Sequence, residues 1–143
     1  MKILFFILII FSLLIIGCDS LIDNNNSYDY SIEQKMECFC PQSGVLVKLF
    51  ITSDTVSNAI RISDNFKLSY KDYRYYKTIK QIFSTIAVTD TNTHKLIVSY
   101  DPKYNFPSFL YIDLKPIVID DSTIVAIADA QVSYTTNNYI ELN

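Results

Sequence analysis

Polar and apolar positions alternate through most of this chain, and the exceptions mark its organisation. The first exception is an apolar run from Ile3 to Ile16, interrupted only by Ser12 and preceded by a lone Lys2. No polar face interrupts it, as the amphipathic helix of a small domain would require. It is shorter than the about 20 residues of a membrane-spanning helix and matches a signal-peptide core of about 7–15 apolar residues. Residues 19 to 28 are Asn-rich and without period, which predicts a tether. From Asp29 the period becomes two. Tyr30, Ile32, Met36, Cys38 and Cys40 share one parity, broken only by Gln34, so a first strand is expected over 29–39. Pro41-Gln42-Ser43-Gly44 is a turn. Val45, Val47, Leu49 and Ile51 then give a second strand, Ser53-Asp54 a hairpin turn, and Val56, Ile60 and Ile62 a third, less regular strand.

The period changes once more. Residues 64–76 are polar and tyrosine-rich, as in a loop with a helical turn. Thr78 and Gln81 have capping-box spacing, and Ile79, Ile82, Phe83, Ile86 and Ala87 follow with helical spacing. Ile82 and Phe83 centre that apolar stripe, so both are expected to be buried. Strands return at 95–100, 109–112 and 123–134, separated by turns at Asp101 to Pro107 and at Asp120-Asp121-Ser122. Short connections favour antiparallel pairing. The expectation is an α+β fold: an antiparallel sheet of about six strands, in the order βββ-α-βββ, with one helix packed on one face.

Composition supports the strands and narrows the function. Eleven Tyr, nine Phe and only two Gly in 143 residues suit a sheet. A net charge of −3 without a Lys/Arg cluster argues against nucleic acid. The nearest basic set is Lys71, Arg74, Lys77 and Lys80, and its spacing near one helical turn reads as a solvated face. The apolar run ends in Gly17-Cys18 with Asp19 after it. This resembles a bacterial lipoprotein signal peptide, although Ile16 stands where a small residue is usual. The resemblance implies residues 1–17 as signal peptide, 18–28 as lipidated Cys18 and tether, and 29–143 as a single domain. It further implies an extracytoplasmic protein held to a bacterial membrane through Cys18.

The chemistry-bearing residues are few. Cys38 and Cys40 remain as an even pair in an oxidising compartment. In a straight strand their Cα atoms would lie about 6.6 Å apart, from a rise of about 3.3 Å. That is the upper edge of what a disulfide bridges, so the strand would have to bend. Free thiols and half of a zinc site are the alternatives. Asp101, Asp113, Asp120 and Asp121 could form a hard-cation site, but aspartates in turns more often bond their own backbone. With one His and no Gly-rich phosphate loop, no nucleophile, acid and base set is evident. No cofactor or metal is expected.

Three pieces together resemble a known family: Cys38-Phe39-Cys40-Pro41, the helix start Thr78 to Phe83, and Tyr100-Asp101-Pro102 continuing to Asn105-Phe106-Pro107. With Ile112-Asp113 and Asp120-Asp121, they are similar to the bacterial domain of unknown function 6174, typically found in secreted proteins and lipoproteins. The resemblance covers about residues 29–133. It implies a structural turn at Asp101, Pro102, Asn105 and Pro107, with Asn105 at a position where Gly is usual. Asn tolerates φ > 0 best after Gly, so a left-handed conformation is expected there. Ser122 replaces an acidic residue, and a Trp usual before the first strand is missing. The family carries no known activity. The expected function is therefore a non-enzymatic envelope domain that binds a protein or small ligand. A thiol–disulfide module using Cys38 and Cys40, or a small inhibitor-like or cation-binding domain, are the alternatives.

Overall fold

In the computed structural model, residues 28–120, 123–125 and 131–142 are described. The strands are β1 (Tyr30–Cys38), β2 (Leu46–Thr52), β3 (Thr55–Arg61), β4 (Phe66–Lys67), β5 (His94–Tyr100), β6 (Pro107–Leu114), β7 (Ile117–Asp120), β8 (Thr123–Val125) and β9 (Val132–Glu141). Two helices, α1 (Tyr70–Tyr73) and α2 (Ile79–Val88), lie between β4 and β5. Seven strands form one antiparallel sheet in the order β4-β3-β2-β1-β9-β6-β5, and β7 pairs with β8 in a separate ribbon.

This corrects the expected α+β arrangement of six strands as βββ-α-βββ. The described residues are mostly sheet, and the helices have only four and ten residues. Three causes account for the difference. Phe66 and Lys67 add an edge strand too short to show a period. The single strand expected over 123–134 is two strands in two different sheets, β8 and β9. Residues 115–120 supply β7 as the partner of β8. Periodicity reports which face a residue occupies but not where one strand ends and another begins.

β1 to β4 form a meander that ends at one edge of the sheet. The chain then crosses to the opposite edge through the two helices, and β5 and β6 return toward the centre. β9 closes the sheet between β1 and β6. Ser53 and Asp54, at φ 49° and 59°, make the expected two-residue hairpin turn, since Thr52 pairs with Thr55. Positive φ at both central residues gives the twist that neighbouring strands need.

The core draws on one face. Ile32 and Met36 of β1, Val47, Leu49 and Ile51 of β2, Leu110 of β6 and Tyr134 of β9 are buried together. The crossing segment adds Leu68, Tyr76 and Ile82. Ile82 is fully buried as expected. Phe83 is not: it is 40% exposed and stacks on Tyr100, with ring centroids 6.3 Å apart. A helix of ten residues covers only a narrow strip of sheet, so its stripe is one residue wide at the core and Phe83 falls on the flank.

Gln34, the residue that breaks the parity of β1, is fully buried and central. Its side-chain oxygen accepts from the Lys77 amide at 2.9 Å. Its side-chain nitrogen donates to the Lys77 carbonyl at 3.0 Å and to Thr136 Oγ1 at 3.1 Å. A buried polar group requires such partners. The Gln34 amide thus pairs with the backbone just before α2. One residue on, the capping box forms as expected: Thr78 Oγ1 accepts from the Gln81 amide, and Gln81 Oε1 from the Thr78 amide. The Tyr76 hydroxyl donates to the Val45 carbonyl at 2.9 Å, and the Tyr134 hydroxyl to the Tyr75 carbonyl at 3.3 Å.

Two outcomes are expected. Replacing Gln34 by Leu strands the Lys77 amide and carbonyl, and each buried unpaired group costs about 1–3 kcal/mol. Urea unfolding should show that loss, and hydrogen exchange should show faster opening at the start of α2. The second concerns alkali. Burial pushes the phenols of Tyr76 and Tyr134 up to about 12 from 10.0. Both remain protonated in the folded state while the unfolded chain ionises, so their contribution is complete below pH 10 and is lost between pH 10 and about 12. The unfolding midpoint should be less steeply dependent on pH in that window when both are changed to Phe.

Candidate functional site

A cleft of about 400 Å³ opens on one end of the domain. It forms at the end of the sheet where β1 begins, beside the β2–β3 turn, the N-terminus of α2 and the β5–β6 turn. Tyr30, Phe83, Tyr104, Phe106 and Tyr139 supply rings, and Ile79 adds an aliphatic wall. Tyr139 is the hub. Its ring centroid lies 5.4 Å from that of Tyr30, 4.9 Å from Tyr104 and 5.9 Å from Phe106, with interplanar angles of 33°, 47° and 36°. Aromatic pairs at such spacings hold one another by more than area burial alone.

The backbone sets this geometry. Tyr30 points to the core face of β1, and its hydroxyl accepts from the Ile79 amide at 3.4 Å. In the β5–β6 turn, one carboxylate oxygen of Asp101 accepts from the amides of Lys103 and Tyr104 at 2.9 and 2.8 Å. The Asp101 carbonyl accepts from the Asn105 amide at 2.9 Å, and the Phe106 carbonyl from the Asp101 amide at 2.8 Å. Asn105 adopts φ 56°, the left-handed conformation expected at this position. The turn therefore presents Tyr104, Asn105 and Phe106 to the cleft from a closed hydrogen-bonded frame. Pro102 lies within it and Pro107, buried, opens β6.

The polar rim is small. Lys80 Nζ lies 2.7 Å from Asp54 Oδ2, both side chains being substantially exposed. Asn105 also lines it. Burial raises the phenols of Tyr30 and Tyr139 above their usual value, so both hydroxyls remain protonated at neutral pH.

The residues expected to carry chemistry are dispersed. Cys38 and Cys40 are joined as a disulfide with Cα atoms 5.3 Å apart. The chain bends as that closure requires: the Cys40 amide donates to the Cys38 carbonyl at 2.9 Å, an i to i+2 turn. Phe39 at its tip is 85% exposed. This end of β1 is opposite to the cleft. Asp101 and Asp113 fall at opposite ends of the β5–β6 hairpin, Asp113 pairing across from Lys95 and accepting from the Tyr111 hydroxyl at 3.0 Å. Asp120 is in the β7–β8 ribbon, and Asp121 lies outside the described residues. No three His, Cys, Asp or Glu among the described residues gather as a metal site. Lys71, Arg74, Lys77 and Lys80 do not share one helix face, because α1 ends at Tyr73 and α2 begins at Ile79. Cys18, the signal peptide and residues 18–27 of the tether also lie outside the described residues, whereas Tyr28, the tether's last residue, packs its ring against Phe50 with centroids 4.9 Å apart.

The cleft was not visible in the sequence as a unit, because its rings come from β1, α2, the β5–β6 turn and β9. The one available hint was the abundance of Tyr and Phe flanking the Tyr100 to Pro107 turn.

Fold and cleft together define an antiparallel-sheet domain with an aromatic site at one end. A family model described as a family of unknown function, DUF6174, matches residues 21–132, and the chain belongs to that family. No curated protein and no solved structure matches it.

Asn105 gives a direct test of how the turn holds the site. Asn105→Gly should leave thermal stability equal or higher, since Gly adopts φ > 0 freely. Asn105→Val should cost about 1–2 kcal/mol, the penalty of a left-handed conformation with a Cβ, larger here for β-branching. Calorimetric melting of the two variants checks both signs.

Proposed function

We propose that this protein is a lipid-anchored, non-enzymatic binding domain of the bacterial cell envelope, with the aromatic cleft as its binding site. The cleft carries the reading: a mostly apolar concavity with a few converging polar groups is the usual form of a small-ligand site. The ionisable groups lining it other than phenols are Asp54 and Lys80, and they neutralise one another. Such a site recognises by shape and hydrogen bonding. Anchorage rests on the apolar run ending in Gly17-Cys18. Tyr30, which lines the cleft, lies twelve residues after Cys18, so the binding end of the domain is the end that the tether joins.

Two measurements test the reading. Cys18→Ala should accumulate as unprocessed precursor, and a variant that is still cut and fractionates with membranes as before would remove the anchor. For the binding site, the full-length chain in micelles of a sugar-free detergent can be titrated by NMR with a chemically diverse set of small soluble compounds. Ligands should shift Tyr30, Tyr104 and Tyr139 first, and should do so equally in the Cys38→Ser, Cys40→Ser double variant. Shifts confined to residues 38–41, or lost in that double variant, would instead favour thiol–disulfide exchange.

A further inference from the structure

We infer that the cleft takes a short, uncharged stretch of a glycan, its pyranose rings packed on the tyrosine wall and its hydroxyls bonded to Asp54, Lys80 and Asn105. The inference rests on the binding reading above and names the ligand class for that same site.

Three properties of the cleft point to this class. The first is charge. The charged residues that line the cleft, Asp54 and Lys80, are held together at 2.7 Å and balance one another, and the nearby Lys103 ammonium lies against the Tyr104 ring. A quaternary ammonium ligand, which aromatic cages take by cation–π attraction, would find no unpaired carboxylate among the lining residues, since Asp54 is held by Lys80. The second is ring arrangement. The three rings around Tyr139 tilt by 33° to 47°, none standing edge-on to it. That gives a curved wall rather than a box closed around a point. The apolar face of a pyranose carries C–H groups with slight positive charge, and these pack on the negative face of an aromatic ring.

The third property is the mixture of donors and acceptors. A sugar hydroxyl both donates and accepts. Lys80 offers donors only, Asp54 acceptors only, and the Asn105 amide and the phenol hydroxyls of Tyr30, Tyr104 and Tyr139 offer both. A proline-rich peptide, the other ligand that aromatic grooves take, presents carbonyl acceptors but lacks the prolyl N–H donors that a carboxylate needs. Asp54 would gain nothing from it. The cleft volume of about 400 Å³ lies at the small end of ligand sites, which run from about 300 to 1,000 Å³. A short segment of a longer chain fits a cleft that is small and open to solvent.

The test is titration calorimetry of the full-length chain in sugar-free detergent micelles. The probes are the tetrasaccharides of the cellulose, starch, chitin and xylan series, with decaproline and choline as competitors of different chemistry. At least one tetrasaccharide should bind. Tyr104→Ala and Phe83→Ala, both at exposed ring positions, should each weaken it about tenfold, the equivalent of 1.4 kcal/mol. Tyr70→Ala, an exposed tyrosine on α1 outside the cleft, should leave it unchanged, and circular dichroism should show all three variants folded. Absence of heat with every tetrasaccharide, or binding indifferent to Tyr104 and Phe83, would overturn the inference. Decaproline or choline binding more tightly at the cleft would also overturn it while leaving the binding site in place. NMR shifts at the cleft with non-sugar compounds alone would separate a wrong ligand class from a wrong site.

Discussion

The amide of Gln34 is the interaction on which the rest of the architecture depends. β1 is the central strand, paired on both edges, and Gln34 sits midway along its buried face. A residue with apolar neighbours on both sides cannot be left unpaired there, because a buried amide without partners costs several kcal/mol. Its oxygen and nitrogen take up the amide and carbonyl of Lys77 in the manner of one further ladder pair, and the remaining N–H reaches Thr136 of β9. One side chain thereby joins the N-terminal meander, the crossing segment and the closing strand. Because the contact is directional, it specifies position as well as stability, which apolar packing alone does loosely.

The cleft inherits its form from this pin. With Lys77 fixed to β1, the Thr78 cap follows in the next residue, and α2 starts at a defined place beside Tyr30. The other wall is independent, being set by Asp101 and the left-handed Asn105 of the β5–β6 turn. The site is thus framed by two hydrogen-bonded devices on opposite sides, each with its backbone groups satisfied.

Surface electrostatics contribute little to this arrangement. The ion pairs Lys35–Glu37, Arg61–Asp64 and Lys80–Asp54 are all substantially exposed, and exposed pairs contribute about 0–1 kcal/mol. Arg61 also lies over the Phe66 ring, 5.2 Å from its centroid, and so covers part of the two-residue edge strand β4. A short edge strand flanked by charge is a common defence against pairing with other chains.

Local regularities were legible in the sequence. The alternation of β1, β2 and β5, the Ser53-Asp54 turn, the Thr78–Gln81 capping box and the burial of Ile82 each depend on residues within a few positions of one another, so spacing carries them, while the positive φ of Asn105 was implied by the family resemblance. The family itself was legible from short ordered motifs. The sheet order was not, because β9 enters between β1 and β6 and its pairing with β1 joins residues about a hundred positions apart, on which no local period reports. The division of 123–134 into two strands was hidden because β8 pairs locally with β7 while β9 leaves to pair with β1 and β6, and the exposure of Phe83 follows from the width of the sheet beneath a short helix. Gln34 shows the boundary most clearly. By sequence it is a polar interruption in an apolar face, and only the fold brings Lys77 and Thr136 to it. Local pattern determined which faces of the chain are apolar and where it turns. The assembly of Tyr30, Phe83, Tyr104, Phe106 and Tyr139 into one cleft was decided by tertiary structure, because rings distant in sequence meet only after the closing strand has paired.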